Sequence, residues 1–362
     1  MKILLVTGIY PPDIGGPATF IPELSEFLTD KGHELRILTL AQNSSGQTSD
    51  KVPVMRIKRK IPQILRMIIT ITKIVFVPRE YKILANGLHE EVGISLLLRK
   101  KYAVAKIVGD PVWERCRNRN ETKKNIMEFN QTSNSTKSFL ERKLLSFALN
   151  QFDTITCPSE NLCELVESWN VTKPIKYIAN GISIKEANPV FQWEYDLICV
   201  SRLVSWKNIN KHIEIAKALN LKLAIVGSGP EENELRKIAK SLGCNATFFG
   251  EKNKNEIEEL LKKSKVFIIL SEYEGLSFSL LEAMSFGLPA IVSSIRANSN
   301  VVRDGIDGAV IEIENWRSSE SKIVRLFTDE QYYQSVANNV RDRISDKFNA
   351  RKQFEKIEEL FL

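Results

Sequence analysis

Short apolar runs alternate with amphipathic stretches along almost the whole chain. The apolar runs have the length of strands, whereas a stretch such as NEIEELLKKS at 255–264 repeats its apolar positions with helical spacing. The predicted strands are 2–7, 34–39, 82–85, 103–108, 153–156, 175–178, 196–201, 221–226, 246–249, 265–270, 289–293 and 308–312. Strands that alternate with helices indicate an α/β protein with parallel sheets.

The alternation breaks at 179–195, where Asn-Gly and Pro interrupt the periodic pattern. We therefore predict two Rossmann-like, doubly wound domains at 1–182 and 183–345, and a terminal helix within 346–362 that packs back on the first domain. Open parallel sheets bind ligands beyond the carboxyl ends of their strands, so two facing sheets are expected to enclose a cleft. The polar stretches 41–53 and 110–136 are predicted loops, and the second is long for a compact domain.

Composition narrows the class of protein. Apolar residues make up 43% of the 362 residues and charged residues 26%, which is typical of a globular chain and not of a disordered one. The net charge of +7 favours anionic partners, whether phosphates, an anionic lipid surface or nucleic acid. The five cysteines are scattered, as in a cytoplasmic protein with reduced thiols. No metal-ligand spacing, signal peptide or membrane-spanning run is present, so we predict none of these.

A glycine-rich turn follows the first strand. In GIYPPDIGGPATF, Gly15 and Gly16 allow a close backbone approach, and Pro17 suits the first turn of a helix. Amide groups at such a helix start can hold a phosphate or another anion. A plain turn between strand and helix is the alternative.

Two motifs in the second half indicate contact with phosphates. Arg202 and Lys207 follow the strand 196–201, and their side chains suit phosphate oxygens, although surface positions in water are the alternative. Gly227 and Gly229 follow the next strand, but Glu232 stands where a dinucleotide loop would have its third glycine. This partial match favours a loop that lines a nucleotide over a complete NAD site.

Two glutamates stand in SEYEGLSFSLLEAMSFGLPAIVSS at 271–294. A helix predicted to begin near Ser277 places Glu274 on the preceding loop and Glu282 in the second turn. Both carboxylates can accept hydrogen bonds from hydroxyl groups at two ends of one ligand, while the amides of Ser277 and Phe278 would face an anion. The alternatives are a loop acid in water for Glu274 and a buried salt bridge for Glu282.

The chain resembles the family-four retaining glycosyltransferases, which have the B-type two-domain fold. The resemblance rests on the order and spacing of these motifs, of Asn180-Gly181 and of the E-x7-E pair formed by Glu274 and Glu282. The resemblance implies transfer of a hexosyl group from a UDP-, GDP- or ADP-sugar to a hydroxyl acceptor, with no metal or other cofactor. It implies that Glu274 contacts the donor sugar, that Glu282 holds the ribose, and that Arg202 and Lys207 grip the diphosphate. Further binding residues implied by the resemblance are Gly15, Gly16, Gly227, Gly229, Glu251, Lys252, Gly275, Ser277 and Phe278.

The chain departs from that family's pattern at three places. Relatives carry a histidine after the strand matching 103–108, and here Asp110 in IVGDPVWERCR is the nearest polar residue, with His89 ranked below it. Asp110 either orients the sugar or acceptor, as a catalytic residue would, or caps a turn. Asn300 stands near the position of a family glutamate, and EGLSF replaces the form EGFGL.

Several alternatives remain open at this point. A nucleotide-sugar 2-epimerase shares the architecture, a nucleic-acid binder would explain the charge, and an NAD enzyme would use the glycine loop. Residues 55–76 mix basic and apolar side chains, as in either an amphipathic helix on an anionic membrane or a core helix with a basic rim. We expect a cytoplasmic enzyme, peripheral on the inner membrane face, with a glycan, lipid-linked or small-molecule acceptor and no nucleic-acid partner.

Overall fold

The chain forms two compact units, each built around one parallel sheet. The computed structural model describes residues 1–13, 15–42, 52–132, 135–184 and 193–362. The first unit comprises Met1–Asn180 and Arg351–Leu362, and the second comprises Gly181–Ala350. Residues 185–192 of the predicted join at 179–195 lie outside the described residues. Among the described residues, no helix combines the length and apolarity needed to cross a bilayer.

The first unit contains a 7-stranded sheet in the order β3-β2-β1-β4-β5-β6-β7. Its strands are β1 (Lys2–Thr7), β2 (Glu34–Ala41), β3 (Val54–Lys58), β4 (Tyr81–Asn86), β5 (Ala103–Lys106), β6 (Thr154–Cys157) and β7 (Ile175–Tyr177). All adjacent strands pair in parallel. The apolar run of β1 is buried along nearly its whole length, as expected for a strand covered on both faces.

The helices of the first unit cover both faces of this sheet. They are α1 (Gly16–Asp30), α2 (Gln63–Phe76), α3 (His89–Leu98), α4 (Pro111–Asn118), α5 (Ile126–Gln131), α6 (Thr136–Leu149), α7 (Glu160–Glu167) and α15 (Ala350–Glu358). Helix α3 packs against both α2 and α6. The Phe354 ring of α15 lies 5.8 Å from the Phe20 ring and 5.7 Å from the Phe27 ring, both of which belong to α1.

The second unit contains a 6-stranded sheet in the order β10-β9-β8-β11-β12-β13. Its strands are β8 (Tyr195–Val200), β9 (Leu223–Val226), β10 (Ala246–Gly250), β11 (Ser264–Ile269), β12 (Ala290–Ser293) and β13 (Gly308–Ile311). Its helices are α8 (Ile209–Ala218), α9 (Glu232–Leu242), α10 (Lys254–Lys262), α11 (Phe278–Ser285), α12 (Arg296–Ser299), α13 (Glu320–Thr328) and α14 (Glu330–Lys347). The strand order reverses between β8 and β11, which lie side by side although two strands separate them in sequence.

The predicted strands are all present, and the doubly wound parallel sheets are confirmed. Two predictions about local structure are wrong. Residues 110–136 do not form one long loop, because Asp110 caps α4 and Asn125 caps α5 in a capping box. Residues 55–76 divide into strand β3, which the sequence did not indicate, and helix α2. That helix is no core helix, because Thr70 and Ile74 are its only buried residues.

We expect Phe354→Ala to lower the free energy of unfolding by about 3 kcal/mol or more, because Phe354 is buried between two aromatic rings of α1. Urea unfolding followed by circular dichroism measures this loss. Phe76→Ala is the matched control, since the Phe76 side chain is 76% exposed and its removal should change stability by no more than about 0.5 kcal/mol. Equal losses in the two variants would contradict the packing of α15 on α1.

Candidate functional site

The reversal of strand order in the second unit brings two loops together at the carboxyl edge of the sheet. Open parallel sheets bind ligands at such a reversal because the flanking loops diverge there and leave a crevice. The loop after β8 contains a 3₁₀ turn at Ser205–Lys207, and the loop after β11 spans 270–277. The Glu272 amide donates to the Trp206 carbonyl at 2.8 Å, and Asn208 Nδ2 donates to the Leu270 carbonyl at 3.0 Å. These bonds fix the two loops to each other.

Lys207 and Glu274 form an ion pair across these loops. Lys207 Nζ donates to Glu274 Oε1, and Ser271 Oγ donates to the same oxygen at 2.6 Å. Only 13% of the Lys207 side chain and 11% of the Glu274 side chain are exposed. Glu274 is therefore not a loop acid in open water, which was the alternative to a binding role. Arg202, on the same loop as Lys207, is exposed, and its guanidinium lies 5.8 Å from the centre of the Trp206 ring.

Helix α11 begins at Phe278, as the sequence indicates. Its N-cap residue is Ser277, whose Oγ accepts from the Leu280 amide at 3.3 Å. The first amides of a helix point out of its N-terminal end and carry partial positive charge, so this end favours an anion. Gly275 is buried in the loop that leads into the helix, and Glu282 is half-buried one turn further along.

His212, on α8, supports the site from beneath, and sequence reasoning missed it. Its side chain is fully buried, and its Nε2 accepts a hydrogen bond from the Leu270 amide at 3.0 Å, at the end of β11. Burial, and secondarily the charge of Lys207, lowers the pKa of His212 to about 3. The imidazole is therefore neutral and serves as an acceptor. Its apolar neighbours Ile209 and Ile213 indicate only that this position is buried.

The two glycines after β9 permit the loops after β8 and β9 to pack closely. A Cβ on Gly227 would lie 2.0 Å from the Ser201 carbonyl oxygen, and one on Gly229 would lie 2.2 Å from the Leu203 carbonyl oxygen. Gly227 also has a φ of +124°, which disfavours other residues. The Leu203 amide can therefore donate to the Ser228 carbonyl at 2.8 Å.

The loop after β10 joins the same edge. Ser228 Oγ donates to Glu251 Oε1 at 2.5 Å, which ties the loops after β9 and β10 together. Lys252 precedes α10, and its Nζ donates to Oε1 of Glu256 in the first turn of that helix at 2.7 Å. The structure thus groups the predicted residues of the second unit along one edge of its sheet.

The predicted residues Gly15, Gly16 and Asp110 belong to the first unit. Gly15 is the N-cap of α1 with a φ of +145°, and Gly16 is the first residue of that helix. Asp110 is fully buried, and its Oδ1 accepts from the amides of Val112 at 3.0 Å and Trp113 at 3.1 Å.

The other carboxylate oxygen of Asp110 also has partners. Its Oδ2 accepts from Asn130 Nδ2 at 3.0 Å and from Arg142. Both oxygens are thus occupied within the unit, and the structure shows the capping role that the sequence left open rather than a carboxylate presented to a substrate. His89 is likewise buried, with Nε2 at 3.0 Å from the Lys106 carbonyl oxygen.

Comparison with known proteins shows that the second unit is similar to one family model. Residues 182–343 match the family model of glycosyl transferases group 1. The matched residues all lie within the second unit. The part of the chain that the structure describes contains no group of three or more His, Cys, Asp or Glu residues that could hold a metal ion.

Two curated relatives are named a galactosyltransferase and a glucosaminyl malate synthase. The Escherichia coli enzyme UDP-Gal:alpha-D-GlcNAc-diphosphoundecaprenol alpha-1,3-galactosyltransferase is 38% identical over 109 residues, which cover 30% of this chain and 28% of that protein. The Bacillus anthracis N-acetyl-alpha-D-glucosaminyl L-malate synthase is 24% identical over 234 residues, which cover 60% of this chain and 61% of that protein. The matches therefore span less than two thirds of either relative.

Solved structures extend the likeness of fold to the whole chain. The structure of Anabaena HepE in complex with UDP and glucose matches with a TM-score of 0.79 and 18% identity, over 100% of this chain and 99% of that one. The predicted class, two Rossmann-like domains of the B-type glycosyltransferase fold, is confirmed.

The buried His212 predicts that the second unit loses stability in acid. The folded state holds the pKa of His212 at about 3, below the ordinary value of 6.5, so only the unfolded chain takes up a proton between these limits. The contribution of His212 to stability is therefore complete above pH 6.5 and declines as the pH falls. We expect this loss to reach about 2 kcal/mol at pH 5.

His212→Gln separates this effect from other titrating groups, because a glutamine carbonyl can accept from the Leu270 amide without binding a proton. Urea unfolding at neutral pH and at about pH 5 should show a smaller acid loss in the variant than in the parent chain. Parallel losses in the two proteins would show that His212 does not carry the effect.

Proposed function

We propose that the protein is a retaining glycosyltransferase that moves a hexosyl group from a nucleotide-diphosphate sugar to a hydroxyl acceptor. The observation that carries the proposal is the buried Lys207–Glu274 ion pair at the strand reversal of the second unit. The pair sets a cation, which a donor diphosphate requires, beside a carboxylate, which can accept hydrogen bonds from sugar hydroxyls.

The donor diphosphate would lie between the β8 loop and the start of α11. Lys207 and Arg202 supply positive charge there, and the Ser277 and Phe278 amides supply the partial positive charge of a helix end. Glu274 would exchange part of its bonding to Lys207 and Ser271 for hydroxyls of the donor sugar. Glu282 would accept from the ribose hydroxyls, and the Glu251–Lys252 segment would lie beside the base.

A uridine nucleotide is the first donor to test, because the HepE structure contains UDP. The glycine loop after β9 would let the backbone approach the nucleotide, since no side chain projects from Gly227 or Gly229.

In the proposed reaction, the bond from the anomeric carbon to the diphosphate oxygen breaks, and a bond from that carbon to the acceptor oxygen forms on the same face. The acceptor hydroxyl transfers its proton to the departing phosphate. Lys207, Arg202 and the helix amides would stabilise the charge that builds on the diphosphate, without a metal ion. Retention rests on the resemblance of the E-x7-E region to the family-four enzymes.

For the acceptor we propose a lipid-linked glycan, used in the synthesis of a cell-surface polysaccharide or glycolipid at the inner face of the membrane. The name of the Escherichia coli relative specifies an acceptor sugar on diphosphoundecaprenol, which supports this class. A 2-epimerase is not favoured, because the relatives reported above are a galactosyltransferase and a glycosyl malate synthase.

Thermal-shift measurements with UDP-, GDP- and ADP-sugars test the donor. A donor at about 100 times its Kd should stabilise the parent chain by about 2.7 kcal/mol. Lys207→Met and Glu282→Ala should lose most of that shift, because each removes a proposed donor contact. Lys237→Met is the control, since this lysine of α9 is 76% exposed and should leave the shift unchanged. Full shifts in both site variants would show that the nucleotide binds elsewhere.

Product analysis tests the reaction. With the donor that gives the shift and an added acceptor, we expect a glycoside whose anomeric configuration, read from its NMR coupling constant, matches the donor, and a rate unaffected by EDTA. An inverted product would exclude retention, and an epimerised donor without transfer would favour the 2-epimerase.

A further inference from the structure

Helices α2, α3 and α6 of the first unit expose many large apolar side chains. More than half of the large apolar side chains that are exposed in the described part of the chain lie on these three helices. They are Ile64, Leu65, Ile68 and Phe76 on α2, Leu97 and Leu98 on α3, and Phe139, Leu140, Leu144 and Phe147 on α6. We call this set the α2–α3–α6 surface.

The three helices form a continuous layer, because α3 packs against both α2 and α6. On α2, Ile64 and Ile68 are four residues apart and Phe76 follows eight later, so all three lie on one side of the helix. On α6, Leu140, Leu144 and Phe147 are four and three residues apart, which also places them on one side of the helix. Ile64 is 78% exposed and Phe76 is 76% exposed, so neither belongs to the core. Apolar patches of this kind mark interaction surfaces.

The charges around this surface are mainly positive. Residues 52–79, which include β3 and α2, contain Lys and Arg but no Asp or Glu. Lys73 is exposed on α2, Lys100 lies just past α3, and Lys143 on α6 has its Nζ 4.7 Å from the centre of the Phe139 ring.

The acidic residues of α3 and α6 are either paired with arginines or lie at the opposite end of the helix from its exposed apolar side chains. Glu141 of α6 forms an ion pair with Arg119 at 3.0 Å, and Glu90 forms one with Arg115 at 2.5 Å. Glu90 and Glu91 lie in the first turn of α3, away from the exposed Leu97 and Leu98 at its end. An anionic partner therefore meets cations beside apolar side chains.

We propose that the α2–α3–α6 surface docks the protein on an anionic lipid bilayer. The apolar side chains would enter the boundary between headgroups and acyl chains, and Lys73, Lys100 and Lys143 would contact the anionic headgroups. A second copy of the chain fits less well, because a symmetric pairing would bring these lysines together. The proposal goes beyond glycosyl transfer and stands without it.

Vesicle co-sedimentation tests the docking. The parent chain should bind vesicles of phosphatidylcholine mixed with phosphatidylglycerol, bind less as salt rises, and bind weakly to phosphatidylcholine alone. The double variant Ile68→Glu/Leu144→Glu should lower the partition coefficient by about tenfold or more, because it places carboxylates at the lipid boundary. Lys73→Gln/Lys143→Gln should remove most of the preference for anionic vesicles.

The matched control is Leu242→Glu/Ile306→Glu, which changes two exposed apolar residues of the second unit. It should bind vesicles like the parent chain apart from a small effect of net charge. Circular dichroism and the nucleotide-sugar thermal shift establish that each variant is folded, so loss of lipid binding and loss of donor binding are measured separately.

Two results would overturn the proposal. One is a parent chain that stays in the supernatant with every vesicle. The other is a parent chain that dimerises in light scattering while Ile68→Glu/Leu144→Glu stays monomeric, which would make this surface an interface between copies.

Discussion

The order of strands in the second sheet is the constraint on which the candidate site depends. Because the chain returns from β10 to place β11 beside β8, the loops after β8 and β11 meet at one edge. The Lys207–Glu274 ion pair can form only there, since 67 residues separate its members in sequence. Neither side chain could be buried alone at low cost, and each makes the burial of the other tolerable. The neutral His212 and the bond from Asn208 to the Leu270 carbonyl hold the loops that carry the pair.

Much of this arrangement could be predicted from local patterns, because strands, helix starts and glycine turns are set by neighbouring residues. The start of α11 and the glycines after β9 are examples. Pairing across the sheet could not be predicted, because it depends on which strands become neighbours. The cap at Asp110 was within reach, since Asp-Pro before Val and Trp is a common start of a helix. The family's missing histidine offered a catalytic role beside this cap, and the sequence alone did not choose between the two.

The exposure of α2 shows a different limit. An amphipathic pattern gives the angle between apolar and polar sides, but it does not say whether another layer covers the apolar side. Ile64, Ile68 and Phe76 are large apolar residues of the kind that usually lie in a core. In this helix, however, only Thr70 and Ile74 are buried. The β-branched Thr70 and Ile74 are enough to fill the inner side of α2, because α3 packs alongside this helix.

The two sheets treat buried polar groups at their carboxyl edges differently. In the second unit Lys207 and Glu274 satisfy each other. In the first unit Asn86 and Lys106 end the adjacent strands β4 and β5, and their side-chain polar atoms have no hydrogen-bond partner among the described residues. Lys106 Nζ lies 4.7 Å from the centre of the Phe20 ring, and burial lowers the pKa of Lys106 to about 8.

A shift of that size corresponds to about 3 kcal/mol of lost stability while the lysine is charged. The penalty disappears as the pH rises through about 8 towards the ordinary lysine value of 10.5, because the folded chain then holds the neutral amine that the apolar surroundings favour. At neutral pH the buried Lys106 therefore lowers the stability of the first unit. In the second unit the ion pair with Glu274 offsets the cost of burying Lys207.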